Sequence, residues 1–336
     1  MSASTHLPQP RERIPTPSRR RSSPVAKSRG SRTSAETRAK RVGAAVRIGI
    51  SGWRYTPWRG KFYPADLAQR DELKYASQIF STIEINGSFY SLQRPEYYAD
   101  WYAETPTDFV FAVKGPRFIT HMKRLGDVAT PLANFLASGI FNLKQKLGPI
   151  LWQLPPNFKF DRSRLDAFLS MLPHDTEAAL SLARRRDFRL KGRARLAIDE
   201  PRRLRHALEV RNDSFACSEF IELLRDRGVA LVVAETAGKW PLLEDVTADF
   251  MYLRLHGDTR LYTSGYSDRA IERWATRIAC WRRGSQPRDA NTVAPRTHVS
   301  RQPREVYCYF DNTDVKLRAP VDAQTLMRKL ARPSSS

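Results

Sequence analysis

Residues Phe250 to His256 read FMYLRLH, an apolar run broken only at Arg254 and His256. On an extended backbone alternate side chains share a face, so these two polar groups point the same way while the leucine between them points oppositely. The same spacing recurs in Glu84-Ile85-Asn86 and in Glu209-Val210-Arg211, each near the end of a predicted strand. Polar groups at the ends of otherwise apolar strands are costly in a core unless they meet one another or a ligand. A shared polar pocket is the expectation.

Working outward from this run, short β-branched or aromatic segments alternate with amphipathic ones. Strands are predicted at Val46 to Ser51, Thr82 to Ile85, Phe109 to Lys114, Pro149 to Gln153, His206 to Arg211, Val229 to Glu235, Phe250 to His256 and Glu305 to Phe310. Helical periodicity falls at Asp71 to Phe80, Pro95 to Tyr102, Leu132 to Leu147, Arg162 to Leu172, Ser218 to Arg227, Asp268 to Arg282 and Asp322 to Leu330. Eight strands separated by helices imply parallel pairing through crossovers, and near-continuous apolar strands imply burial on both faces. The fold class is therefore α/β, a (β/α)8 TIM-type barrel spanning residues 46–332. A doubly wound sheet would place a Gly-rich phosphate turn after an early strand, and the chain contains no G-x-G-x-x-G. Residues 175–205 and 284–304 read as insertions before the fifth and eighth strands, the first with a helix of its own through Glu177 to Arg186.

The chain has 336 residues and a net charge of +22, distributed unevenly. Residues 1–45 carry eleven Lys/Arg against two acids, Arg184 to Arg205 ten against three, and Arg277 to Arg304 seven against one. Such runs attract nucleic acid or anionic surfaces through counterion release, or are solvated tail and loops. Residues 1–45 have too few large apolar side chains to offset the entropy of ordering, so a disordered basic tail is expected, as is a disordered end at 333–336. The tail's Arg- and Ser-rich composition overlaps with that of a transit peptide, and an over-extended start fits equally. The chain carries no apolar stretch of the roughly 18 to 20 residues a membrane span needs, and no secretory signal, so no membrane partner and a cytoplasmic location are expected. Three cysteines, Cys217, Cys280 and Cys308, without metal-type spacing fit a reducing compartment, and Cys308 reads as a small buried hydrophobe.

Several ordered motifs are similar to those of the YecE-like proteins, catalogued as domain of unknown function 72. They are GISGWRYTPWRGKFYP from Gly49, EINGSFY from Glu84, VKGPRFITHMKRL from Val113, LWQLPPNF from Leu151, HALEVRNDSF from His206, TADFMYLRLHG from Thr247 and YCYFDNT from Tyr307. The resemblance covers about Arg47 to Leu330 and implies a TIM-type barrel and a site location, without an established activity. Two positions depart from the family pattern: Asn212 stands where many relatives carry His, and Glu235 where Asp is more usual.

In TIM barrels functional groups gather at the C-terminal ends of the strands. Reading the strand ends in turn gives Trp53 and Tyr55, Asn86 and Tyr90, Lys114 and His121, Gln153, Glu209 and Arg211, Glu235, Arg254 and His256, and Asp311 and Asn312. The membership of His121 rests mainly on the resemblance. Lys114, Arg211 and Arg254 are candidates for an anionic ligand, arginine offering a planar fork and lysine a point charge. Glu209, Glu235 and His256 are the candidate acid/base groups. The competing reading is an internal ion network in which Glu209 meets Arg211 or Arg254 and closes the barrel top. The aromatic group Trp53, Tyr55, Trp58, Phe62 and Tyr63, together with Phe89 and Tyr90, suits a stacking wall for a sugar or base, or a loop packed over the mouth. A mononuclear metal site would need His121 and His256 with carboxylates, so no metal ligand is assigned and the cofactor is left open. Two functions compete: an enzyme, a hydrolase or lyase, acting on a phosphate- or carboxylate-bearing substrate, and a nucleic-acid-binding protein using the tail and insertions. A scaffold leaves the polar face unexplained, and oligomeric state is not assigned.

Overall fold

Each predicted strand forms, with its ends shifted by at most two residues. In the computed structural model, which describes residues 44–295, 300–312 and 317–331, the strands are β1 Val46–Ser51, β2 Thr82–Ile85, β3 Val110–Lys114, β4 Leu147–Gln153, β5 His206–Glu209, β6 Ala230–Glu235, β7 Phe250–Leu255 and β8 Glu305–Phe310. They pair in parallel in sequence order, and β8 returns to β1 through pairs such as Ile48 with Cys308, closing the barrel. The parallel strands are buried on both faces because helices cover them outside and side chains fill them inside, which is why they read as apolar runs. The expected tail falls on residues 1–45, nearly all of them outside the described residues, as are 333–336.

The outer helices are α1 Glu72–Ile79, α3 Pro95–Glu104, α4 Ala129–Ala137, α5 Arg162–Ser170, α6 Thr176–Ala183, α7 Ser218–Asp226, α8 Asp268–Arg282 and α9 Arg318–Ala331, with a short α2, Gly87–Tyr90, at the barrel mouth. Three begin with a side-chain cap: Asp161 accepts from Arg164 N at 3.0 Å, Asp175 from Ala178 N at 2.7 Å, and Ser267 from Ala270 N at 3.2 Å. The helix expected over Leu132 to Leu147 is broken. Gly139 adopts φ of +108°, and a Cβ there would lie 2.4 Å from Pro95 Cα, so α4 stops and 3-10 turns Ile140–Lys146 follow. The terminal helix starts earlier than expected and carries Asp322 inside it.

No helix lies between β6 and β7. The connection there is covered by part of the second insertion: Asn291 N donates to Glu244 Oε2 at 2.8 Å, while Val293 N and Ala294 N both donate to Asp245 at 3.1 Å. Among the described residues, no helix is long and apolar enough to cross a membrane.

Inside the barrel, alternation sorts side chains into layers. Tyr307 and Phe250 meet near the N-terminal end with ring centres 6.0 Å apart. Above them Tyr252 and Tyr309 pack at 5.1 Å, with Tyr309 Oη 2.8 Å from Thr82 Oγ1, among Ala112, Leu151, Ala207 and Val232. The next inward positions, at the C-terminal ends, are polar on most strands, Ala234 of β6 being the apolar one.

Candidate functional site

Arg254 is the centre of this polar layer. Only 1% exposed, its guanidinium donates from Nε and Nη2 to the two oxygens of Glu84 at 3.1 and 2.9 Å, from Nη1 to Glu209 at 2.6 Å, and from Nη2 to Asp311 at 2.9 Å. Glu84 also accepts from Ser51 Oγ at 3.0 Å and from Tyr252 Oη at 2.6 Å. A buried ion group is tolerable only when its lone pairs and protons are matched in this way. Arg211, one step above Glu209 on the same face, donates to it at 2.7 Å and lies over the Trp240 ring at 4.1 Å. Burial pushes the Glu209 carboxyl up, but Arg211, Arg254 and their neighbours outweigh it and hold it well below the ordinary value. Asp311, 15% exposed at the cavity, is likewise pushed up by desolvation and held low by Arg254 and then His256. Both stay ionised. The internal network and the shared polar face are thus one object.

Above it lies a cavity of about 860 Å³, walled by Asn86, Lys114, His121, Gln153, Arg211, Arg254 and Asp311 together with Tyr55, Phe89, Tyr90, Arg117, Met122 and Tyr262. Lys114 is 8% exposed, with Nζ 4.2 Å from the centre of the Phe89 ring. Among the described residues no carboxylate lies within 4.0 Å of that nitrogen. Burial first, and then the Arg254 charge, lower its pKa to about 8. The next residue, Gly115, leaves room for the Trp152 ring, which would lie 2.4 Å from a Cβ there. His121 sits on a π-helical turn, Phe118–Met122, of the kind found at functional sites. Its Nδ1 is 2.9 Å from Thr120 Oγ1 and its ring meets Phe89 edge-on at 5.1 Å. Burial, Lys114 and Arg211 push its pKa down to about 4, leaving a neutral imidazole at physiological pH.

His256 is fully buried, one step beyond Leu255 on β7 and next to Asp311. Its Nδ1 is 3.0 Å from Asp311 but without hydrogen-bond geometry, and burial lowers its pKa. His256 thus stands beside Asp311 within the network, its Nε2 4.0 Å from Glu209, and is not among the residues that wall the cavity.

Three other sequence-predicted residues lie elsewhere. Glu235 pairs in register with Leu255, which faces outward, whereas Ala234 pairs with Arg254, so Glu235 points away from the barrel axis and bonds Arg273 of α8 at 2.8 Å. Asn312 is one step from the inward Asp311 and donates outward to Asp322 at 2.9 Å and Ser264 O at 3.0 Å. Trp53 packs edge-on against Trp101 at 5.3 Å in a side cleft. The aromatic loop after β1 is mostly packed down, with Trp58 and Tyr63 buried, and Tyr55 Oη bonds Ser51 O at 2.6 Å at the cavity edge. Asn212 is half-buried, Nδ2 donating to Pro156 O at 2.8 Å.

Sequence reasoning did not select Glu84, Arg117 or Tyr262 as site residues. Glu84 stood in one of the quoted runs and its inward parity was available; Arg117 and Tyr262 come from loops, where periodicity carries no signal. Tyr262 holds φ of +63°, unusual for a bulky residue, and meets His256 edge-on at 5.3 Å. Among the described residues no three His, Cys, Asp or Glu side chains are grouped so as to hold a metal ion.

A closed parallel barrel with a polar cavity at the carboxyl ends of its strands defines a TIM-type barrel protein. The chain belongs to the family described as "Protein of unknown function DUF72", whose model matches residues 47–336. The family is the one expected from the ordered motifs. The UPF0759 protein YunF of Bacillus subtilis is 27% identical over 135 residues, 38% of this chain and 46% of that protein, so the match spans less than half of the relative's length. Among solved structures, a DUF72 family protein of Thermotoga maritima is similar with a TM-score of 0.63 and 24% identity, covering 86% of this chain and all of that one. One from Enterococcus faecalis gives 0.60 and 16%, covering 86% and 97%. These likenesses show the fold.

Proposed function

We propose that this chain is an enzyme acting on a small phosphate- or carboxylate-bearing anion held in the barrel-mouth cavity. The observation that carries the reading is Lys114, an almost fully buried ammonium that faces the cavity with no carboxylate within ion-pair distance among the described residues. A charge in such a place is costly unless something compensates it, and a bound anion would do so. Arg211 and Arg117 flank the same space. Arg254 has all its strong bonds in the network below, so it contributes field and rigidity more than a free fork.

The ionised Glu209 and Asp311 are poor proton donors, and Glu235 lies outside the cavity. Lys114 and the neutral His121 are therefore the groups assigned to proton movement, with Glu209 positioning Arg211. The test is calorimetric titration of inorganic phosphate and of acetate into wild type, Lys114→Met and Arg211→Ala. Binding by wild type with at least tenfold loss in Lys114→Met is the expected result. Equal binding by wild type and Lys114→Met, or no anion binding at all, overturns the reading.

A further inference from the structure

A second cavity of about 310 Å³ opens beside the first and shares four of its walls, Phe89, Tyr90, Arg117 and Met122. Its remaining lining is largely apolar, with Leu92, Pro116, Phe118, Ile119 and Pro131 around it. Arg189 stands at its edge but is already paired with Asp187, whose carboxylate is held in turn by Asn134 at 3.0 Å. The polar cavity and the apolar one are thus two compartments of a single mouth, divided only by side chains that belong to both.

The dividing side chains are themselves unusual for a surface. Tyr90 is 68% exposed, Met122 64% and Phe118 43%, three of the few large hydrophobic side chains that reach solvent among the described residues, and they cluster here. Grouped exposed apolar surface rimmed by charge marks a binding face more often than a solvated one. Met122 adds a flexible, polarizable wall that can adapt to an occupant. A volume of this order suits one or two rings or a short chain, given that a dry cavity of about 150 Å³ accepts benzene.

We propose that the ligand of this site is an amphiphilic organic anion, its phosphate or carboxylate against Lys114 and Arg211 and its aryl or acyl portion in the apolar compartment. This rests on the anion-binding reading above and narrows it: a bare anion would fill only one compartment and leave the other as exposed hydrocarbon. Arg117, lying 5.7 Å from the Tyr90 ring, stands at the junction where head and tail would meet.

The test is titration of inorganic phosphate, phenyl phosphate, hexyl phosphate and the uncharged benzyl alcohol and hexanol into wild-type protein, Ser91→Trp and Phe118→Asp. Ser91 and Phe118 line only the apolar compartment and are not buried, so both variants are expected to melt as wild type does. Phenyl or hexyl phosphate binding at least tenfold tighter than inorganic phosphate, with the increment lost in both variants and phosphate affinity kept, is the expected result. Organic phosphates no tighter than inorganic phosphate would overturn this inference and leave the anion site standing. Failure of every phosphate to bind would instead remove the reading on which it rests. Equal binding of the alcohols and the organic phosphates would overturn both, since the charge would then contribute nothing.

Discussion

Replacing Lys114 by Met is expected to make the empty protein more stable. In the folded state the ammonium is desolvated and beside Arg254, which lowers its pKa from 10.5 to about 8. The depressed value means that the unfolded chain holds this proton more tightly than the folded one, so protonation of Lys114 opposes folding. At about 1.4 kcal/mol per pH unit, the fall corresponds to on the order of 3 kcal/mol of destabilisation at neutral pH. The penalty is full below pH 8 and is relieved as pH rises from 8 toward 10.5. Methionine keeps the unbranched apolar stem against Phe89 and removes the charge, so the variant should gain a large part of that free energy. Urea denaturation at pH 7 and at pH 9.5 is the assay. Wild-type stability, after subtraction of the variant's own pH trend, should rise between the two, and the gap between the proteins should narrow. A variant less stable than wild type at pH 7, with the native fold retained by circular dichroism, would show that Lys114 is compensated within the protein and would refute both the stability argument and the ligand argument built on it. The stabilising loss of a binding residue is the expected pattern where a site is strained to receive its ligand.

The remaining predictions follow from the same geometry. Arg254→Met should destabilise the fold by about 3–5 kcal/mol at pH 7, because it removes the guanidinium shared by Glu84, Glu209 and Asp311 and leaves Glu209 with Arg211 alone. Its pH dependence should invert: in wild type the depressed Glu209 and Asp311 contribute stability that is present above their ordinary values of 4.5 and 3.8 and lost as pH falls through the folded values, whereas the variant should gain stability on acidification from pH 7 to 5, as chemical denaturation will show. Anion affinity should fall as pH rises through about 8, where Lys114 loses its proton, and should stay level across that range in Lys114→Arg, measured by titration with a ligand of constant charge. Glu235→Gln should leave anion affinity within twofold of wild type, since its partner is Arg273 on α8; a tenfold loss would place Glu235 in the site after all.

The barrel was legible because its physics is local. Parallel strands buried on both faces must be continuous apolar runs, and crossovers must be helical segments between them, so the bounds of β1, β2 and β8 coincide with those read from the chain alone. The helix break at Gly139 was not legible, since it answers to Pro95, more than forty residues earlier. Polar pairs two apart on β2, β5 and β7 revealed which face turns inward, and the cavity walls include Asn86, Arg211 and Arg254 accordingly.

Two of the expected site residues miss the cavity by one step of register. Glu235 and Asn312 each sit next to an inward position, and a side-chain period of two turns a single step into the opposite face. Only the cross-strand register, Glu235 beside the outward Leu255 and Ala234 beside Arg254, decides the matter, and that is a property of two strands together. Glu84 has the same inward parity as Asn86, so register does not distinguish them. Its partner Arg254 lies 170 residues away in sequence, and a carboxylate committed to a distant guanidinium looks no different in the chain from one that faces a ligand. What separates Lys114 from the other charges of this layer is therefore pairing, a quantity that exists only once the barrel has closed: Arg254 and Arg211 find carboxylates there, and Lys114 is left to meet whatever enters the mouth.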